Sequence, residues 1–63
     1  MKIGDKVRPV DMVTESNKHH MFDDEIGTII EVTPRADGHL FLVVKRDRDG
    51  GIFKGIDRLW KDA

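Results

Sequence analysis

The chain has 63 residues, no cysteine, 37 % charged residues and a formal net charge of −1. A single domain of this size buries only about 60 % of the surface its unfolded chain exposes, so it depends on tidy packing or self-association. Without cysteine, disulfides and thiolate metal sites are excluded, and the near-neutral charge argues against a strong nucleic-acid binder.

The longest apolar run, Leu40 to Val44, is far too short to span a membrane, and no apolar core follows the N-terminal positive charge as in a signal peptide. A cysteine-free chain suits a reducing compartment, so a cytoplasmic location is expected. Charge is uneven along the chain: residues 1–32 hold four bases and seven acids, and the remainder seven bases and five acids.

Met1 to Asp5 reads as a short lead ending in a Gly4-Asp5 turn, and Lys6 to Val10 as a first strand. Pro9 lacks an N–H to donate, which places this strand, or at least that edge of it, at a sheet margin, with Val7 and Ile3 facing inward. Asp11 to Asp24 shows no period of 2 or 3.6. It reads as a long loop, with Met21 or Phe22 folding back over one end of the core and with Thr14-Glu15-Ser16-Asn17 as a cap or one helical turn.

Glu25 to Thr33 is the central strand. Ile26, Thr28, Ile30 and Val32 alternate with Gly27, Ile29 and Glu31, and the run is rich in β-branched residues. Gly27 marks a bulge or a close approach by a neighbour. Pro34 to Gly38 carries turn chemistry. His39 to Lys45 is apolar on both faces, which requires a central strand or one covered by the long loop. Asp47 to Gly51 is a hairpin turn, Ile52 to Ile56 a short strand, and Asp57 to Trp60 a 3₁₀-like turn or a last short strand, with Trp60 against the core.

Gly4-Asp5-Lys6-Val7-Arg8, followed by Glu25-Ile26-Gly27-Thr28-Ile29, two further hairpin strands and a final Leu59-Trp60, is an order that resembles the SH3-like small β-barrels. The opening is similar to KOW-type domains, to the small photosystem I subunit of this fold and to short bacterial and phage barrels. The resemblance implies an all-β, SH3-like barrel of about five short antiparallel strands with a long first loop, spanning 1–63 as one domain. It covers nearly the whole chain but consists of turn glycines and strand pattern, which specify fold rather than function. The long acidic connection departs from the short KOW loop. The aromatic pairs with which SH3 domains hold proline-rich peptides are not evident, since there is no Tyr and one Trp.

Four groups of residues invite a functional reading. His19-His20 with Asp23 and Asp24 offers imidazole and carboxylate together, although a solvated loop explains them as well. Asp47-Arg48-Asp49-Gly50 has the start of a calcium loop without its distal ligands, so a plain turn is the reading preferred. Lys45, Arg46, Arg48, Lys54 and Arg58 offer a basic surface, with Asp47, Asp49 and Asp57 set to neutralise it. Phe41, Val43, Phe53 and Trp60 are many large side chains for a small core, and any left outside form a contact patch.

Catalysis is the poorest fit: Ser16 has no orienting group assured beside a His, and the chain is too small to enclose a typical pocket. The expectation is a non-enzymatic protein-interaction module, an accessory or regulatory factor of bacterial or phage type, with neither metal nor cofactor. Its contact residues are His20, Met21, Phe22, Asp23, Asp24, Phe41 and Trp60, and its partner is another protein or a second copy of itself. The alternative is a KOW-like nucleic-acid-binding module using Lys45, Arg46, Arg48, Lys54 and Arg58.

Overall fold

The computed structural model describes every residue except Ser16, Asn17 and Lys18. Its strands are β1 (Lys6–Pro9), β2 (Val13–Glu15), β3 (His19–Met21), β4 (Gly27–Pro34), β5 (Leu40–Arg46), β6 (Ile52–Ile56) and β7 (Trp60–Asp62), with a 3₁₀ turn at Asp57–Leu59. Among the described residues there is no α-helix. Five strands form one antiparallel sheet in the order β6-β5-β4-β1-β7, and β2 and β3 form a separate hairpin. The domain is therefore all-β, as expected, but its main sheet is not closed into a barrel by hydrogen bonds.

The segment 11–24 holds more order than its sequence suggests. Val13 pairs with Met21, Thr14 with His20 and Glu15 with His19. Two three-residue strands are too short to show a period, and among the described side chains Val13 and Met21 turn inward while Thr14 and His20 turn out. Both join Val7, Ile29, Leu42, Val44, Phe53 and Trp60 in the core, so the hairpin lies over the inner face of the sheet, with β2 beside β6. Met21 is the residue that folds back, and Phe22 stays outside. Of the suggested cap or helical turn, Thr14 and Glu15 are strand residues, and Ser16 and Asn17 lie outside the described residues.

In β4 the expected alternation breaks. Ile29 faces Val44 and Glu31 faces Val43, so Ile30 is an extra residue, a β-bulge. Gly27 and Ile29 point inward before it and Val32 after it, while Ile26 and Ile30 are left at the surface. Gly27 is not the bulge but a close approach: a Cβ there would stand 2.4 Å from Val44 Cγ1, 3.0 Å from the Lys45 carbonyl and 3.2 Å from Met21 Cε.

Strand β1 is not an edge, for β4 flanks one side and β7 the other. Its pairing with β4 stops at Val7 and that with β7 runs on to Pro9. Val10 N–H donates to the Leu59 carbonyl and Lys6 accepts from Ala63 N–H. The even residues thus bond β7, and the missing N–H of Pro9 falls on the side that β4 has already left. Val7 is buried as expected, whereas Ile3 is 66 % exposed because the lead bonds the Ile29 backbone through Gly4 and Asp5 and does not enter the core.

Strand β5 is central, and its inner row is Leu42, Val44 and Arg46. Val43, on the other face between Glu31 and Lys54, is also buried. The β5–β6 turn closes through Gly50, whose φ of +79° is the left-handed conformation its sequence predicts. Asp57 ties the 3₁₀ turn to the start of β5 by accepting from Leu40 N–H at 3.0 Å and pairing with His39 Nδ1 at 2.9 Å.

Candidate functional site: a braced acidic and apolar turn

Strand β3 alternates His20 outward and Met21 inward, and the chain then reverses over Phe22 to Glu25. The reversal is closed twice: Glu25 N–H donates to the Phe22 carbonyl at 3.0 Å, and Phe22 N–H donates to Glu25 Oε1 at 2.9 Å. Asp23 and Asp24 therefore stand at the corners of the turn, exposed, and among the described residues neither forms an ion pair. Phe22 is 52 % exposed and Ile26 45 %, so two apolar side chains flank the two carboxylates. The His20 ring lies 6.4 Å from that of Phe22, and its Nδ1 is 3.0 Å from Thr14 Oγ1.

The brace is Arg46, the one buried charged residue among those described. Its Nε and Nη2 donate to the two oxygens of Asp49 at 2.9 and 2.8 Å, a bidentate pair. Its Nη1 donates to the His20 carbonyl at 2.9 Å and lies 3.4 Å from Glu25, and the guanidinium stacks 5.0 Å from the centre of the Phe53 ring. Arg48 adds a second contact to Glu25 at 3.1 Å. One side chain thus ties β3, the Phe22 turn and the β5–β6 turn together.

The electrostatic signs agree with this geometry. Hydrogen bonds from Arg46, and then from Gly51 N–H, hold the Asp49 carboxyl well below its ordinary range, and Asp49 in turn raises the guanidinium above its own. Asp47, bonded by Lys6 Nζ and Thr28 Oγ1, is also depressed. An open cleft of about 390 Å³ lies beside the brace, lined by Asp24, Glu25, Ile26, Arg46, Asp47 and Arg48.

Of the residues singled out for protein contact, His20, Phe22, Asp23 and Asp24 gather on this turn. Met21 and Trp60 do not join them: at 0 % and 3 % exposure they are core residues, because the hairpin and β7 turn them inward. Phe41 is half-buried on the outer face, five residues along β5 from Arg46, or about 17 Å.

The basic set is dispersed as well. Lys45, Lys54 and Arg58 are exposed, but Arg46 is turned into the core side and Arg48 is engaged by Glu25. The sequence reading missed Ile26, Glu25 and the role of Arg46. The signal for Arg46 was present, since it continues the inward phase of Leu42 and Val44.

Asp47 and Asp49 hold Lys6 and Arg46, which is the work of a turn. Among the described residues no three metal-ligating side chains gather, and the His19 side chain lies outside what is described. Among the described residues no helix is long and apolar enough to cross a membrane. Fold and site define a small all-β domain that presents one braced turn. Compared with known proteins, the chain has no significant match to a family model, a curated protein or a solved structure.

Proposed function

We propose that this chain is a non-enzymatic protein-interaction module of SH3-like type, an accessory or regulatory factor of bacterial or phage kind working in the cytosol. The observation that carries the reading is the exposure of Phe22 and Ile26 around Asp23 and Asp24 on a turn that Arg46 holds from beneath. Exposed apolar side chains rimmed by charge have the make-up of a contact surface, and a rigid turn loses little entropy on binding. The partner surface complementary to it carries an apolar group beside Lys or Arg.

The test is affinity capture with the wild-type chain and Phe22→Ser in parallel, repeated at high salt. A protein retained by the wild type, lost by the variant and held through the salt wash supports the reading. A captured set that is the same for both overturns it. Light scattering of the pure chain shows whether that partner is a second copy. Binding to mixed RNA and DNA that falls steeply with salt favours the nucleic-acid reading instead, through Lys45, Lys54 and Arg58.

A further inference from the structure

The outer face of β5 and β6 carries a surface whose make-up is opposite to that of the Phe22 turn. Leu42, Val44 and Arg46 of β5 and Phe53 and Gly55 of β6 point inward, so Lys45, Ile52 and Lys54 stand on the other side of the sheet. Lys45 lies directly opposite Ile52, and Lys54 follows Ile52 by two residues on the same face. The two lysines are therefore diagonal neighbours, about 7–8 Å apart, with Ile52 beside both. Strand β6 is the last of the main sheet, and Ile52 is left exposed.

Both lysines are exposed, and among the described residues neither forms an ion pair. Two acids share this side of the sheet, and neither neutralises them. Asp47, two residues on from Lys45, is bonded by Lys6 Nζ and Thr28 Oγ1. Glu31 stands across Val43 from Lys54, with one strand between them. The surface is an exposed apolar side chain beside two unpaired cations. That is the complement the Phe22 turn calls for, and it lies on the same chain.

We infer, resting on the reading of the Phe22 turn as a contact, that its partner is a second copy of this chain: Phe22 and Ile26 of one copy close over Ile52 of the other, and Asp23 and Asp24 meet Lys45 and Lys54. The flexible four-carbon stem of lysine lets two ammonium groups on a diagonal reach adjacent carboxylates. The apolar contact favours association, and the opposed charges fix its register. The uneven charge of the sequence points the same way, with acids in excess over residues 1–32 and bases in excess beyond them.

Sedimentation equilibrium of the pure chain, up to about 1 mM, should show association. Asp23→Lys with Asp24→Lys, and Lys45→Glu with Lys54→Glu, should each weaken it at least about tenfold, as two exposed ion pairs at about threefold each. All four sites are exposed, so both variants should melt with the wild type. Mixing the two variants should restore association, because each then meets the charge it lacks. Arg8→Glu with Lys61→Glu changes the net charge equally at the other facing cations on this side of the sheet, and it should neither weaken association nor rescue the turn variant. A wild-type chain that stays monomeric, a mixture that does not associate, or equal rescue by the Arg8 and Lys61 variant overturns the second copy as the partner. A monomeric chain that captures a different protein, and loses it with Phe22→Ser, keeps the turn as a contact and overturns this inference alone.

Discussion

Replacing Gly27 by Ala adds one methyl group at the most crowded of the glycine positions. Carbon atoms in contact sit about 3.5–4.0 Å apart, and the new Cβ would meet Val44 Cγ1 at 2.4 Å, so that methyl must retreat by more than an ångström. It has nowhere to go. Val44 is fully buried and β-branched, which restricts its χ1, and the new Cβ is itself hemmed in by the Lys45 carbonyl at 3.0 Å and Met21 Cε at 3.2 Å. Overpacking of this kind costs about 1–3 kcal/mol, against the roughly 0.5–1 kcal/mol that Gly→Ala gains where there is room.

For a domain of this size a loss of about 2 kcal/mol lowers the melting temperature by roughly 8–16 °C. The cause is tested with Val44→Ala, which removes the methyl in the way. The double variant should be more stable than the sum of the two single losses by about 1 kcal/mol or more, the coupling expected of residues in contact. Calorimetry of the four proteins decides it. A Gly27→Ala melting temperature at or above the wild type, or strict additivity with Val44→Ala, would refute the close-approach argument.

Arg46→Met keeps the packed stem and removes the cation. Loss of the contacts to Asp49, Glu25 and the His20 carbonyl should cost about 2–3 kcal/mol in urea unfolding, below the full cost of breaking a wholly buried pair because Asp49 is half-exposed. The neighbours Met21 and Phe22 should separate cleanly. Met21→Ser destabilises by about 2–5 kcal/mol, as a fully buried side chain does. Phe22→Ser stays within about 0.5 kcal/mol of the wild type and shows its effect only in partner binding.

The Asp49 carboxyl is depressed by Arg46 and Gly51, so its contribution is complete above the unfolded aspartate value and is lost as pH falls through the lower folded value. Asp49→Asn should therefore flatten the acid limb of the stability-versus-pH curve. An acid limb that keeps its slope would place that dependence on Asp37, Asp47 or Asp57, which are depressed by their own partners.

The positions of the longer strands and the β5–β6 turn were legible because alternation and Asp-Gly pairs act locally, whereas Pro9 pointed to a sheet margin that β1 does not occupy. Gly50 adopts the positive φ its turn asks for, and β6 matches Ile52 to Ile56. The inward set of β4 was not legible. A bulge leaves the composition of a strand unchanged and shifts its phase, so Ile26 and Ile30 look like core and are not. The hairpin of β2 and β3 was hidden for another reason: three-residue strands carry no period, and their order comes from Val13 and Met21 meeting a distant sheet. Arg46 looked like one member of a basic patch because charge reads as surface. Its phase with Leu42 and Val44 pointed inward, and its acidic partners, Glu25 and Asp49, lie 21 and 3 residues away.

The bulge at Ile30 also sets where this chain can change length. With Ile30 removed, Ile29 would still face the core, Glu31 would oppose Val43 on the outside, and Val32 would face in again. Every downstream side chain would keep its face. The same deletion within β5, at Val43 for example, would turn Val44 outward and bring Lys45 inward, or turn Leu42 outward and bring Phe41 inward. Natural variants and designed truncations of this domain should accordingly lose or regain one residue at position 30, and should hold β5 to its full count.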